Sequence, residues 1–166
     1  MDIATYFCPM TIKLIVLGKT DSLQLSQLID EYRNRLGHYI KFEIETIPDI
    51  RNNKNLSEKQ QREKEGEAIL SKLNTTDLLV LLDENGKQYT SVEFSGYLQK
   101  KMNSGLKQLV FVVGGPYGFS DAVHQKSQSK ISLSKMTFSH QMVRLFMVEQ
   151  LYRAFTILRN EPYHHQ

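Results

Sequence analysis

Apolar and polar positions along this chain follow two rhythms, one with a period near two and one near three and a half, and the two take turns. "TIKLIVL" (11–17) is a short apolar run ended by Gly18, the pattern of a strand. In "SLQLSQLIDEYRNRL" (22–36), Leu25, Leu28, Ile29, Tyr32 and Leu36 recur at helical spacing, and Gly37 supplies a stop. "KFEIETI" (41–47) alternates as a half-buried strand does, and Pro48 closes it. The polar stretch 49–56 predicts a loop. Ser57 with Gln60 then offers a capping box for a charged helix to about Leu73, rich in Glu and Lys and therefore largely solvent-facing. "DLLVLLD" (77–83) is the continuous apolar run of a strand covered on both faces, and Asn85-Gly86 turns the chain after it. Thr90 and Glu93 form a second capping box, for a helix that fades at Asn103-Ser104-Gly105. "QLVFVV" (108–113) is another buried strand, running into "GGPYGF". A short helix near 120–127, a short strand at "KISLS" (130–134) and a long helix from about His140 to Leu158 complete the chain.

Strands and helices alternating throughout predict a single α/β domain with a largely parallel sheet. The last helix breaks the usual amphipathic rule. Met142, Val143, Leu145, Phe146, Met147, Val148, Leu151, Tyr152, Phe155, Ile157 and Leu158 occupy most of its circumference. One sheet face covers one stripe of a helix, so this helix either lies at the centre of the domain or meets another subunit. In a chain this small we expect the second, a homodimer interface.

Composition narrows the class. A chain of 166 residues, 40% hydrophobic, is one domain's worth. The apolar runs are too short to span a bilayer, and the start lacks a basic segment followed by an apolar core. Cys8 is the only cysteine, so no internal disulfide forms and no cysteine pair is spaced for zinc. A soluble, cytoplasmic setting with no membrane partner and no metal is the expectation. Charge is uneven: residues 100–166 carry nine Lys/Arg against three Asp/Glu, while residues 1–99 carry twelve against fifteen. A basic half fits a polyanion such as RNA, or simply a solvated charged face.

Common motifs fail one by one. "LGKT" (17–20) lacks the glycine five residues before its Gly-Lys pair that a phosphate-binding loop requires; Lys13 stands there. Gly114, Gly115 and Gly118 have the wrong spacing for the dinucleotide fingerprint, and Pro116 stiffens the turn. His38, His124, His140, His164 and His165 form no ligand spacing, and no G-x-S-x-G is present. What remains is a site built largely of backbone at the C-terminal ends of parallel strands, where α/β sheets bind ligands. Three such ends are available: Leu82-Asp83, Gly114-Gly115 and "SLSKMTF" (132–138).

Three segments, "VFVVGGPYGF", "SLSKMTFSHQMVR" and "EQLYRAFTILRNEPYHH", together closely resemble the bacterial ribosomal RNA large subunit methyltransferase H family. The likeness runs from about Met10 to His165, and the family's usual start corresponds to Met10, which makes residues 1–9 an upstream start or added segment. The resemblance implies a SPOUT-type α/β knot, one domain over 10–166 with a C-terminal trefoil knot. It implies S-adenosylmethionine as cofactor, a homodimer, and methylation of N3 of pseudouridine 1915 in the helix 69 loop of 23S rRNA within the assembled ribosome. Matched residue by residue, it assigns cofactor contacts to Leu82, Gly114, Leu133, Ser134, Lys135, Met136, Thr137 and Phe138. Loss of the N3 proton calls for a base or a stabilising cation, for which Arg153, Tyr163 and His164 are the candidates. Each has a plainer role available: Arg153 pairing with Glu149 at i,i+4, and the tail acting as a packing strap. His140 and Lys135 are weaker candidates, a helix-start residue and a loop charge. Two rivals stay open, a non-catalytic ribosome- or RNA-binding protein and a SPOUT methyltransferase with another RNA target.

Overall fold

In the computed structural model, which describes residues 10–50 and 55–165, strands and helices alternate along the whole described chain. They are β1 (Thr11–Leu17), α1 (Leu23–Leu36), β2 (Lys41–Ile47), α2 (Glu58–Leu70), β3 (Leu78–Gln88), α3 (Ser91–Asn103), β4 (Gln108–Val113), α4 (Asp121–Lys126), β5 (Ser129–Ser132) and α5 (His140–Leu158). The strands form one five-stranded sheet in the order β2-β1-β4-β3-β5, and every pairing is parallel. Both expected capping boxes form: Ser57 with Gln60, and Thr90 with Glu93, each exchange side-chain and backbone hydrogen bonds. Residues 1–9, including Cys8, lie outside the described residues, as does part of the 49–56 loop.

Alternation along the central strands splits the core in two. Leu109, Phe111 and Val113 of β4 face α1, α3 and α5, together with Ile12, Leu14 and Val16 of β1. Val110 and Val112 face the other way, towards Ile69 of α2 and Val123 of α4. With both faces covered, the inner strands need no polar side, which is why they read as unbroken apolar runs.

Two expectations need correcting, and the grounds for a third change. Asn85-Gly86 does not end β3. Leu82 and Lys87 both stand opposite Ile131 of β5, so residues 83–86 bulge out and the strand resumes. Gly86 permits this because a Cβ there would lie 2.6 Å from the Ile131 backbone. Leu28, counted in the apolar stripe of α1, is 44% exposed. Finally, α5 lies centrally over the sheet, flanked by α1 and α3 of the same chain. Tyr152 meets Tyr32 and Tyr39, Phe155 meets Tyr39, and Gln150 accepts from the Ser91 hydroxyl at 2.9 Å. Much of the apolar circumference of α5 is thus covered within one subunit, and that circumference alone does not argue for a partner.

Candidate active site

The β3 bulge and the C-terminal ends of β4 and β5 open into one cavity of about 800 Å³, a size that suits a nucleoside-sized ligand. Leu82 lies where the bulge begins and Val113 where β4 ends, the loop 114–119 forms one side, and the loop 133–139 forms another. Val143 and His140 from the start of α5 close one end, while Glu58 and Arg62 of α2 stand on the opposite face of the sheet. Seven of the eight expected cofactor residues meet here: Leu82, Gly114, Leu133, Ser134, Met136, Thr137 and Phe138. Lys135 sits in the same loop, exposed, but its side chain is not part of the lining.

Local chemistry shapes the loop. The Ser132 hydroxyl donates to the Ser134 carbonyl at 2.8 Å, and the Met136 amide donates to the Ser134 hydroxyl at 2.9 Å. Thr137 ties the loop to the β3 bulge by donating to the Glu84 carboxylate at 3.2 Å. Ser139 then caps α5 by accepting from the Met142 amide at 3.3 Å. Opposite, Gly114 has no room for a side chain, since its Cβ would fall 2.9 Å from Cζ of Phe119. Leu82, Leu133, Met136 and Phe138 give the cavity apolar walls of the kind that pack on the faces of a purine.

The three candidate catalytic residues also come together, but elsewhere. Tyr163 donates to Glu149 at 2.9 Å, and Arg153 donates to the same carboxylate oxygen through Nε at 3.1 Å. The Arg153 guanidinium stands 4.7 Å from the Tyr163 ring centre, and its NH1 group approaches His164 Nδ1 at 3.4 Å. Tyr163 packs edge-on against Tyr152 at 4.7 Å, and Tyr39 is hydrogen-bonded to Glu161. Burial, then hydrogen bonding with Tyr32 and Glu149, pushes the Tyr163 phenol well above its ordinary pKa. The Glu149 hydrogen bond likewise raises Arg153. Within this subunit Arg153 is an ion-pair partner and the tail a strap over α1 and α5. At 1.5 Å per residue, Arg153 lies roughly 15 Å along α5 from Val143 at the cavity.

A family model described as "Predicted SPOUT methyltransferase" matches residues 10–164. The chain belongs to the SPOUT methyltransferase family. Its curated relatives include proteins named "Ribosomal RNA large subunit methyltransferase H". That of Flavobacterium johnsoniae is 71% identical over 157 residues, covering 95% of this chain and all of the relative. Those of Porphyromonas gingivalis and Bacteroides thetaiotaomicron are 57% and 53% identical over the same spans.

Several site residues of this SPOUT methyltransferase carried no usable signal in the sequence. Arg144, 2% exposed, donates to the carbonyls of Leu17 and Gly18 at 2.6 and 3.0 Å and to the Thr20 hydroxyl at 3.2 Å. Gln141 adds a bond to the Lys19 carbonyl at 3.1 Å, so the "LGKT" loop is clamped to the first turns of α5. Burial lowers the Arg144 pKa, partly offset by the nearby charges of Asp21 and Asp49. Glu84 and Asn85 join the expected Asp83 at the cavity, all three on the β3 bulge. Among the described residues, no group of three or more His, Cys, Asp or Glu could hold a metal ion, and no helix is long and apolar enough to cross a membrane.

Proposed function

We propose that this protein is an S-adenosylmethionine-dependent rRNA methyltransferase, acting on N3 of pseudouridine 1915 in the helix 69 loop of 23S rRNA within assembled ribosomes. The relatives' names support the rRNA substrate, and the carried-over contacts support the cofactor. The observation that carries the reading is the meeting of Leu82, Gly114, Leu133, Ser134, Met136, Thr137 and Phe138 around one nucleoside-sized cavity. The trefoil knot and the homodimer belong to the same reading, as expectations from the family.

When bound, S-adenosylmethionine supplies a methyl group already activated by its sulfonium. This chain's residues then bind, orient and manage a proton. Main chain at Gly114 and 133–138 fixes the adenosine, so the acceptor nitrogen needs only to be held in line with the methyl and sulfur. N3 of the base must shed a proton, and a cation beside the nascent anion eases that loss. Arg153, with Tyr163 and His164 packed beside it, stands about 15 Å along the helix from the cavity. We read them as completing the site of a second subunit, where Arg153 stabilises charge and Tyr163, whose hydroxyl is engaged by Glu149, packs against the guanidinium and helps to fix it. With Nδ1 facing Arg153, His164 presents Nε2 to the substrate. Met142 and Phe138, both 38% exposed and at the start of α5, are the apolar surface on which we expect the partner to sit.

Methyl transfer to tRNA, free 23S rRNA and assembled ribosomes, compared side by side, tests the proposal. Transfer to ribosomes alone is expected. Binding without transfer would favour the non-catalytic RNA-binding reading, and transfer to another RNA a different SPOUT target.

A further inference from the structure

The carried-over contacts account for the adenosine end of the cofactor and leave one wall of the cavity without a ligand group. That wall is the first two turns of α2, where Glu58 and Arg62 follow each other at i,i+4 and both line the cavity. Neither side chain takes part in an ion pair or side-chain hydrogen bond with another described residue. The neighbouring pair Lys59 and Glu63, one position round the helix, does meet, at 3.9 Å. Arg62 is half-buried although no ion pair to it occurs among the described residues.

The fold explains how this charged face reaches the site. Ile69 buries α2 against the sheet, and Gly66 lets it press against Ser120 and Val123, where a Cβ would fall 2.2 Å from the Ser120 hydroxyl. Glu65, 7% exposed, backs onto Gly115. The face carrying residues 58, 62 and 65 is thereby held beside the 114–119 loop, across the cavity from the 133–138 loop.

We infer that Arg62 and Glu58 bind the amino-acid end of the cofactor, Arg62 the α-carboxylate and Glu58 the α-ammonium. The inference rests on the cofactor reading given above. Two opposite charges one turn apart match a zwitterion; they do not suit an RNA backbone, since α2 carries four acids against three bases. A guanidinium also binds a carboxylate through two parallel hydrogen bonds, which a lone lysine cannot reproduce.

The test compares S-adenosylhomocysteine with 5′-methylthioadenosine by calorimetry. Both are uncharged at sulfur, and only the first carries the zwitterion. Wild-type protein should prefer S-adenosylhomocysteine. Arg62→Ala should weaken that ligand at least about tenfold and change 5′-methylthioadenosine by less than about twofold. Arg62→Lys should recover part of the loss, and Glu58→Gln should lose about threefold on S-adenosylhomocysteine alone. Equal weakening of both ligands, or of neither, overturns the assignment. Unchanged nucleoside binding with weaker ribosome binding would make Arg62 an RNA contact and overturn it too. Wild-type protein that binds neither ligand defeats the cofactor reading itself, a result distinct from failure at Arg62.

Discussion

Gly114→Ala is the substitution that most sharply separates packing from ligand contact. A Cβ at this position would lie 2.9 Å from Cζ of Phe119 and 3.2 Å from both Cε atoms. Phe119 is 8% exposed and packed among Ile15, Val112 and Val123, so its ring cannot swing freely. Overpacking of this kind costs about 1–3 kcal/mol. In a chain of this length that is roughly 2–12 °C in Tm. The strain falls on the loop that lines the cavity, so S-adenosylmethionine affinity should drop about tenfold, or ~1.4 kcal/mol. Adding Phe119→Leu removes the ring tip. The double variant should then be no less stable than Phe119→Leu alone by more than about 1 kcal/mol, and should regain most of the affinity. Thermal unfolding and calorimetry on the four proteins of this cycle give both quantities, with a coupling energy of at least about 1 kcal/mol expected. Zero coupling would refute the packing argument. A destabilised Gly114→Ala protein with unchanged affinity would remove residue 114 from the site.

Arg144→Ala strips three charge-assisted hydrogen bonds from a buried position and should cost about 3 kcal/mol in urea unfolding; a loss below about 1 kcal/mol would contradict the clamp. Truncation after Asn160 removes the Tyr163 contacts, so it should cost about 1–3 kcal/mol and abolish methylation, yet leave S-adenosylhomocysteine affinity within about twofold. Full methylation by the truncated protein would reduce the tail to a strap. Lys13 bridges Glu45 and Glu43 at 2.9 and 3.2 Å. Burial opposes both charges, but these hydrogen bonds, with a further one from Lys72 to Glu45, outweigh it, lowering the Glu45 pKa and raising that of Lys13. The Glu45 contribution is therefore full above its unfolded pKa and lost as pH falls through the folded one. That of Lys13 is full below its unfolded pKa and lost as pH climbs past the folded one. Lys13→Met should accordingly shrink the stability difference between pH 7 and pH 3; an unchanged difference would show the pair to be idle.

Periodicity carried most of the fold into view. Each strand and helix among the described residues had its counterpart in the sequence, the strands, α1 and α5 through apolar runs and spacing, α2 and α3 through capping boxes that form at the residues that announced them. Asn85-Gly86 misled because its turn signal is local, whereas the close approach of Gly86 to Ile131 is a tertiary fact. The apolar girth of α5 reported burial correctly but not the identity of the cover, because flanking helices and a partner subunit leave the same mark. Arg144 was invisible for the opposite reason: one cation in an apolar helix gives no hint that it reaches three acceptors on the loop after β1. Elimination pointed to the three segments that line the cavity, but only family likeness singled out residues within them, since a site rich in main chain leaves few chemical signals in the sequence. Glu58 and Arg62 were lost within a helix that looks solvated throughout.

The central claim is that the cofactor lies at the β3 bulge and the ends of β4 and β5. A crystal structure of the S-adenosylhomocysteine complex tests it most directly. The account predicts the adenine held by main chain between Gly114 and residues 133–138, with the ring against Leu82 and Leu133. Adenosine density in the smaller neighbouring cavity between Tyr89, Phe94 and Phe146, or anywhere away from those strand ends, would contradict it.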